Sequence, residues 1–178
     1  CAIKWSHPVL GKKTVDTWGK NDLVYYFNPE EKFEKQAHKI GNIFKCLTVF
    51  HINPKIKNLN KERKGSCYMI RKGDRGYHTN FKKHPTDAFE IGRVSLAEAI
   101  KHFNNHKYFF SYDPLTFYTV IAALCGCISV VMEVPGMNKE QWIAHHGEMV
   151  NYFKNKKDKT LYGIAYGMKD IKNAEKTI

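Results

Sequence analysis

Two short segments of this sequence carry side chains suited to holding a phosphate. In the first, Arg71-Lys72-Gly73 follows directly on Gly65-Ser-Cys-Tyr-Met-Ile70, an apolar run that reads as a strand. Arginine offers a planar fork and lysine a point charge, so together they suit a diphosphate. The same pair is also at home as surface cations on a loop. In the second, Ser111-Tyr-Asp-Pro-Leu-Thr116 joins a predicted strand, Tyr108-Phe-Phe110, to an apolar helix predicted over 115–125. Asp113 is expected to N-cap that helix, with Pro114 at its first position. A helix start presents unpaired N–H groups and a partial positive charge to an anion. Thr116 adds a hydroxyl, and Tyr112 adds a ring able to stack on a base or sugar. Neither GxGxxG after a strand nor GxxxxGK[ST] occurs, which argues against an ordinary dinucleotide site or a P-loop.

These segments need a scaffold that brings strand ends together. Strands are predicted at 22–27, 46–52, 65–70, around 89–91, and at 108–110, 128–132 and 162–167, most of them stopped by Gly, Pro or Asn. Ser95-Leu-Ala-Glu98 is a capping box, and the helix it starts carries Leu96, Ala99, Ile100 and Phe103 on one face. Gly126 should end the apolar helix, Pro135-Gly136 should turn the chain, and 138–141 resembles another helix cap. Helices are also expected at 30–39 and 169–178. Strand alternating with helix at this spacing predicts βαβ units. The expected fold is therefore α/β, a Rossmann-like parallel sheet from Gly65 onward with helices on both faces. Ligands of such sheets bind beyond the carboxyl ends of the strands. Both candidate segments fall at such ends. The polar, basic stretch 55–64 reads as a linker or exposed loop.

The chain has 178 residues, 43% hydrophobic and 26% charged, enough for one ordinary domain and not the composition of a disordered one. Lys and Arg number 29 against 17 Asp and Glu, a formal +12. That surplus attracts polyanions: nucleic acid, nucleotide phosphates or an anionic bilayer. Lys154-Asn-Lys-Lys-Asp-Lys159 reads as a solvated loop. The apolar run 115–134 is broken by Thr116, Thr119, Gly126 and Ser129 and does not read as a membrane span. No basic-then-apolar leader opens the sequence, and its start at Cys1 reads as an excised domain. The cysteines Cys1, Cys46, Cys67, Cys125 and Cys127 are odd in number and irregularly spaced. Cys46, Cys67, Cys125 and Cys127 sit among apolar residues and read as buried free thiols in a reducing compartment. A zinc site at Cys125-Gly-Cys127 with His145-His146 is the rival, weakened by the lack of any CxxC pair.

On these residues the chain resembles the donor domain of GT-B glycosyltransferases, of the polysaccharide-building kind found in bacteria and large viruses. Ser111 through Val131 is similar to their nucleotide-sugar segment, in which an acidic residue opens a helix and a Gly-Cys turn leads into a Val-Val strand. Ile70-Arg-Lys-Gly73 is similar to their diphosphate-contacting loop. Pro135-Gly136, Trp142 and Tyr162-Gly-Ile-Ala-Tyr-Gly167 look like the same group, and the resemblance spans Arg63 to the C-terminus. It implies a nucleotide-sugar-binding domain at 63–178. It also implies that 1–62 is the tail of an acceptor-side domain, or an extension plus linker. The implied reaction is transfer of a sugar from a nucleoside-diphosphate sugar to a glycan or lipid-linked acceptor. The implied donor-binding residues are Arg71, Lys72, Gly73, Ser111, Tyr112, Asp113, Thr116 and Phe117. Many retaining members carry Glu-x7-Glu here; this chain has Asp113 and Ile121. No metal or cofactor is called for beyond the nucleotide sugar as substrate, because the cations themselves stabilise the leaving diphosphate. An inverting reaction also needs a base, for which His7, His51, His78 and His84 are candidates. The expected setting is cytoplasmic (a host's, for a viral chain), with an anionic membrane surface as a further partner and no specific nucleic acid. Two other readings share the composition: a basic nucleic-acid-binding module, and a catalytically silent nucleotide-binding domain.

Overall fold

The computed structural model describes residues 3–6, 23–26, 44–46, 53–71, 78, 80–114, 116–145 and 161–178. The expected helix at 30–39, the strand end at 47–52, the loop at 154–159, and Lys72, Gly73, His7 and His51 lie outside them. The chain divides into two compact units, Cys1–Ile52 and Asn53–Ile178. The first contains a parallel sheet of β1 (Ile3–Ser6), β2 (Leu23–Tyr26) and β3 (Phe44–Cys46), in that order.

The second unit is built on β4 (Ser66–Met69), β5 (Phe89–Glu90), β6 (Tyr108–Ser111), β7 (Ile128–Val131) and β8 (Ile164–Tyr166). They form one sheet in the order β5-β4-β6-β7-β8, and every pairing is parallel. The expected Rossmann-like α/β fold is thus present. α1 (Leu96–Asn105) connects β5 to β6, α2 (Phe117–Leu124) connects β6 to β7, and α3 (Lys139–His145) follows β7. After β8 comes a 3-10 turn (Met168–Asp170) and then α4 (Ile171–Glu175).

Alternation along the strands explains why both faces need cover. Cys67, Met69 and Phe109 pack with Ala99, Ile100 and Phe103 of α1 and Ile121 and Ala122 of α2. Val131, Ile164 and Tyr166 continue that layer against Val120, Ala123 and Trp142. Phe110, Ile128, Val130 and Ala165, interleaved with them, pack on the other side against Ala174 and Ile171 of α4 and against Phe81. Strands buried on both faces are near-continuous apolar runs, as these are. Ser95 starts α1 as expected, its Oγ accepting from Glu98 N at 3.2 Å. Gly126 ends α2 with φ +82°, a conformation that favours glycine. Asn138 and Gln141 cap α3 reciprocally, each backbone N–H donating to the other's side chain at 2.8 Å.

The stretch 53–64 is mostly exposed but anchored. Asn104 Nδ2 donates to the Lys57 carbonyl, Leu59 N donates to Asn104 Oδ1 at 2.9 Å, and Arg63 Nη2 donates to the Cys125 carbonyl at 2.7 Å. Cys67, Cys125 and Cys127 are buried free thiols, and burial pushes those of Cys125 and Cys127 up, as for inert core cysteines. Among the described residues no helix is long and apolar enough to cross a membrane.

The end of the chain is pinned by Asp170. Its Oδ2 accepts from Lys139 Nζ at 2.6 Å and from Tyr166 N at 3.0 Å, and its Oδ1 accepts from Asn173 Nδ2. Burial pushes this carboxyl upward, but the three donors outweigh it and hold it below the usual value. A depressed carboxyl adds stability above the unfolded pKa, and that stability is lost as pH falls through the folded one. Asp170→Asn is therefore expected to cost about 1–2 kcal/mol at neutral pH, with the gap to wild type closing below about pH 4. Thermal unfolding of both proteins across that window measures it.

Candidate functional site

In strand order β5-β4-β6-β7-β8 the direction of winding reverses between β4 and β6. At such a reversal the connections leave on opposite faces and open a crevice at the carboxyl ends. Both segments singled out in the sequence stand here, Arg71 two residues past β4 and Ser111-Tyr112-Asp113 at the end of β6. The register pairs Met69 with Ser111, so the two chains leave the sheet side by side.

Asp113 holds them together. It is 1% exposed, and its Oδ1 accepts from Arg71 N at 3.1 Å. Ser111, also buried, donates from Oγ to the Asp113 carbonyl at 3.0 Å. Asp113 therefore does not cap α2, contrary to the sequence expectation. The cap is Thr116, whose Oγ1 accepts from Tyr118 N at 3.3 Å, and α2 begins at Phe117. The reason is competition for one carboxylate. The carboxylate is recruited by the Arg71 N–H on the neighbouring chain, and the helix start is served as well by a threonine three residues later.

Arg71 is exposed, and its guanidinium carbon lies 6.0 Å from the centre of the Tyr118 ring in the first turn of α2. A fork able to grip a phosphate thus stands beside the positive end of a helix. Phe117, also exposed, presents its ring at the same end. Glu133 follows β7 on this edge, and its side chain lies against Gly167 just past β8. A Cβ at Gly167 would come 2.5 Å from the Glu133 carboxyl carbon, and φ there is +79°, a conformation that favours glycine.

Tyr112 corrects the sequence reading in a second way. Its ring is wholly buried and offers no face for stacking on a ligand. His78, Phe81 and His84 surround it edge-on, at 5.4, 5.4 and 5.6 Å between ring centres. Its hydroxyl accepts from Lys83 N at 2.9 Å and meets His84 Nδ1 at 2.8 Å. Burial pushes the phenol up and pushes His78 and His84 down. Tyr112 is thus a post on which the segment after the Arg71 loop is fastened. Of the candidate bases described, His78 is buried in this cluster and His84 is half-buried, stacked on Tyr68 at 3.8 Å.

Local pattern left one supporting residue without a role. Trp142 is 2% exposed, stacks on Tyr166 at 5.0 Å, and donates from Nε1 to the Pro114 carbonyl at 2.7 Å. It clamps the turn between Asp113 and Thr116 from α3. The signal was its amphipathic chemistry, a large apolar body carrying a single donor. Among the described residues no group of His, Cys, Asp and Glu could hold a metal ion. No family model matches this chain, and neither a curated protein nor a solved structure matches it.

Proposed function

We propose that residues 53–178 bind the diphosphate of a nucleoside-diphosphate sugar and that the chain belongs to a glycosyltransferase acting on a glycan or lipid-linked acceptor. The observation that carries this reading is the juxtaposition at the winding reversal. Exposed Arg71, fixed by buried Asp113, stands over the first turn of Thr116-capped α2. Lys72, next in sequence, adds a second cation. As the acceptor oxygen bonds the sugar carbon and the bond from sugar to diphosphate breaks, Arg71 and Lys72 stabilise the negative charge left on the diphosphate, and the end of α2 adds its partial positive charge. The buried state of Asp113 makes it a positioning residue for the basic loop rather than a ribose ligand.

Thermal unfolding with a panel of ligands tests the class. UDP, GDP or one of their sugars at about 100 times its Kd should raise stability by roughly 2.7 kcal/mol. The corresponding nucleosides should do far less, and oligonucleotides nothing. Stabilisation by oligonucleotides alone would replace this reading with a nucleic-acid-binding one.

A further inference from the structure

The edge of the sheet opposite the candidate site has its own chemistry. The chain enters β4, β6, β7 and β8 from this edge, and α1 and α2 end on it. Lys57, Lys61 and Lys64 precede β4, and the first and last are tied to the end of α1 through Asn104 and the Asn105 carbonyl. Lys107 precedes β6, and Lys176 follows α4; all five lysines are exposed. Among the described residues the ion pairs on this edge are Glu62 with Lys64 at 3.0 Å and Glu175 with Lys107 at 3.1 Å, two carboxylates against the five lysines.

Apolar side chains protrude among these cations. Leu59, between Lys57 and Lys61, is 46% exposed although its backbone N–H is fixed by Asn104. Tyr162, just before β8, is 44% exposed, and Ile178, packed over Gly163, is 39% exposed. Thr177 holds that tail in place by accepting from Gly163 N at 2.9 Å.

We infer that this edge is a docking surface for an anionic lipid bilayer. Basic residues gather at a negatively charged leaflet, and apolar tips between them enter the boundary between headgroups and acyl chains. A single-stranded nucleic acid would instead call for a row of aromatic platforms, whereas Tyr162 is one ring beside the aliphatic Leu59 and Ile178. The surface is independent of the nucleotide reading. It would, however, leave the opposite edge of the sheet facing the solution from which a soluble donor arrives.

Co-sedimentation of the full chain with vesicles tests the proposal. Binding is expected to phosphatidylcholine containing phosphatidylserine and not to phosphatidylcholine alone. The triple variant Lys57→Glu, Lys61→Glu, Lys64→Glu should weaken it by about a hundredfold or more, since each basic residue near the leaflet contributes about fivefold. Leu59→Ser with Ile178→Ser should keep binding at low salt and lose the fraction that survives about 1 M salt, where charge is screened beyond roughly 3 Å. An unchanged melting temperature confirms that each variant is folded. Equal binding to both vesicles, or binding indifferent to the charge reversals, would overturn the inference. So would displacement from the vesicles by an oligonucleotide, which would make the edge a nucleic-acid surface.

Discussion

Trp142→Ala is expected to lower the stability of the 53–178 unit by about 3–5 kcal/mol, the largest loss from any one side chain in the account. Three contributions add. The indole is buried among Val120, Ala123, Val131, Leu161 and Ile164, so truncation opens a cavity that helix and strand backbones cannot close. Its stack on Tyr166 disappears, and Tyr166 itself holds the loop after β7 by accepting from Val134 N and donating to the Met137 carbonyl, both at 3.0 Å. The Pro114 carbonyl, buried, loses its donor. Trp142→Phe separates packing from hydrogen bonding, because it keeps a ring and removes the N–H. It should cost about 1–2 kcal/mol. Urea unfolding followed by far-ultraviolet circular dichroism measures both, and an alanine variant within about 1 kcal/mol of wild type would show that Trp142 clamps nothing.

The second large effect is expected at Asp113. Removing a buried carboxylate that accepts from a backbone N–H forfeits a charge-assisted hydrogen bond, a loss of about 1.5–3 kcal/mol. More telling is where the loss appears. Arg71 N is the tether between the basic loop and β6, so Asp113→Ala should weaken nucleoside-diphosphate binding by at least about tenfold, even though the carboxylate is buried. Asp113→Asn retains an acceptor oxygen for Arg71 N and should recover part of both losses. A carboxylate that itself repelled or contacted the ligand would give another pattern, with asparagine either tightening binding or failing as badly as alanine. Titration of UDP and GDP into the two variants, beside their unfolding curves, distinguishes these outcomes.

The fold was legible where local chemistry and burial agree. The runs at β4, β6, β7 and β8 are apolar on both faces and bounded by Gly, Pro or Asn, so strands buried on both sides were the natural reading. Ser95 and Gly126 act within their own turn of chain, and their roles survived in three dimensions. What was not legible depended on distant partners. Asp113-Pro114 looks the same whether aspartate caps a helix or is recruited by a strand end 42 residues upstream. Tyr112 looked available because nothing near it in sequence announces that His78, Phe81 and His84 close around it. The terminal helix came out shorter, 171–175 after a 3-10 turn, because Asp170 turns back to Tyr166 N and Lys139. In the candidate site, Arg71 and the helix start were found by residue type, whereas the carboxylate that joins them was given the wrong task.

The central claim is that the loop after β4 grips a diphosphate, and isothermal titration of UDP and GDP against uridine and guanosine tests it most directly. With charge-assisted bonds contributing roughly 1.5–3 kcal/mol each, Lys72→Ala should weaken diphosphate binding by about ten- to a hundredfold and leave nucleoside binding almost unchanged. Arg71→Lys should also weaken it, since a point charge does not replace a bidentate fork. Thr116→Val should cost less than either, because the N–H groups of α2 remain. Undiminished affinity for UDP and GDP in a folded Lys72→Ala protein would contradict the account: the loop would then be a solvated turn, and the donor site would have to lie elsewhere.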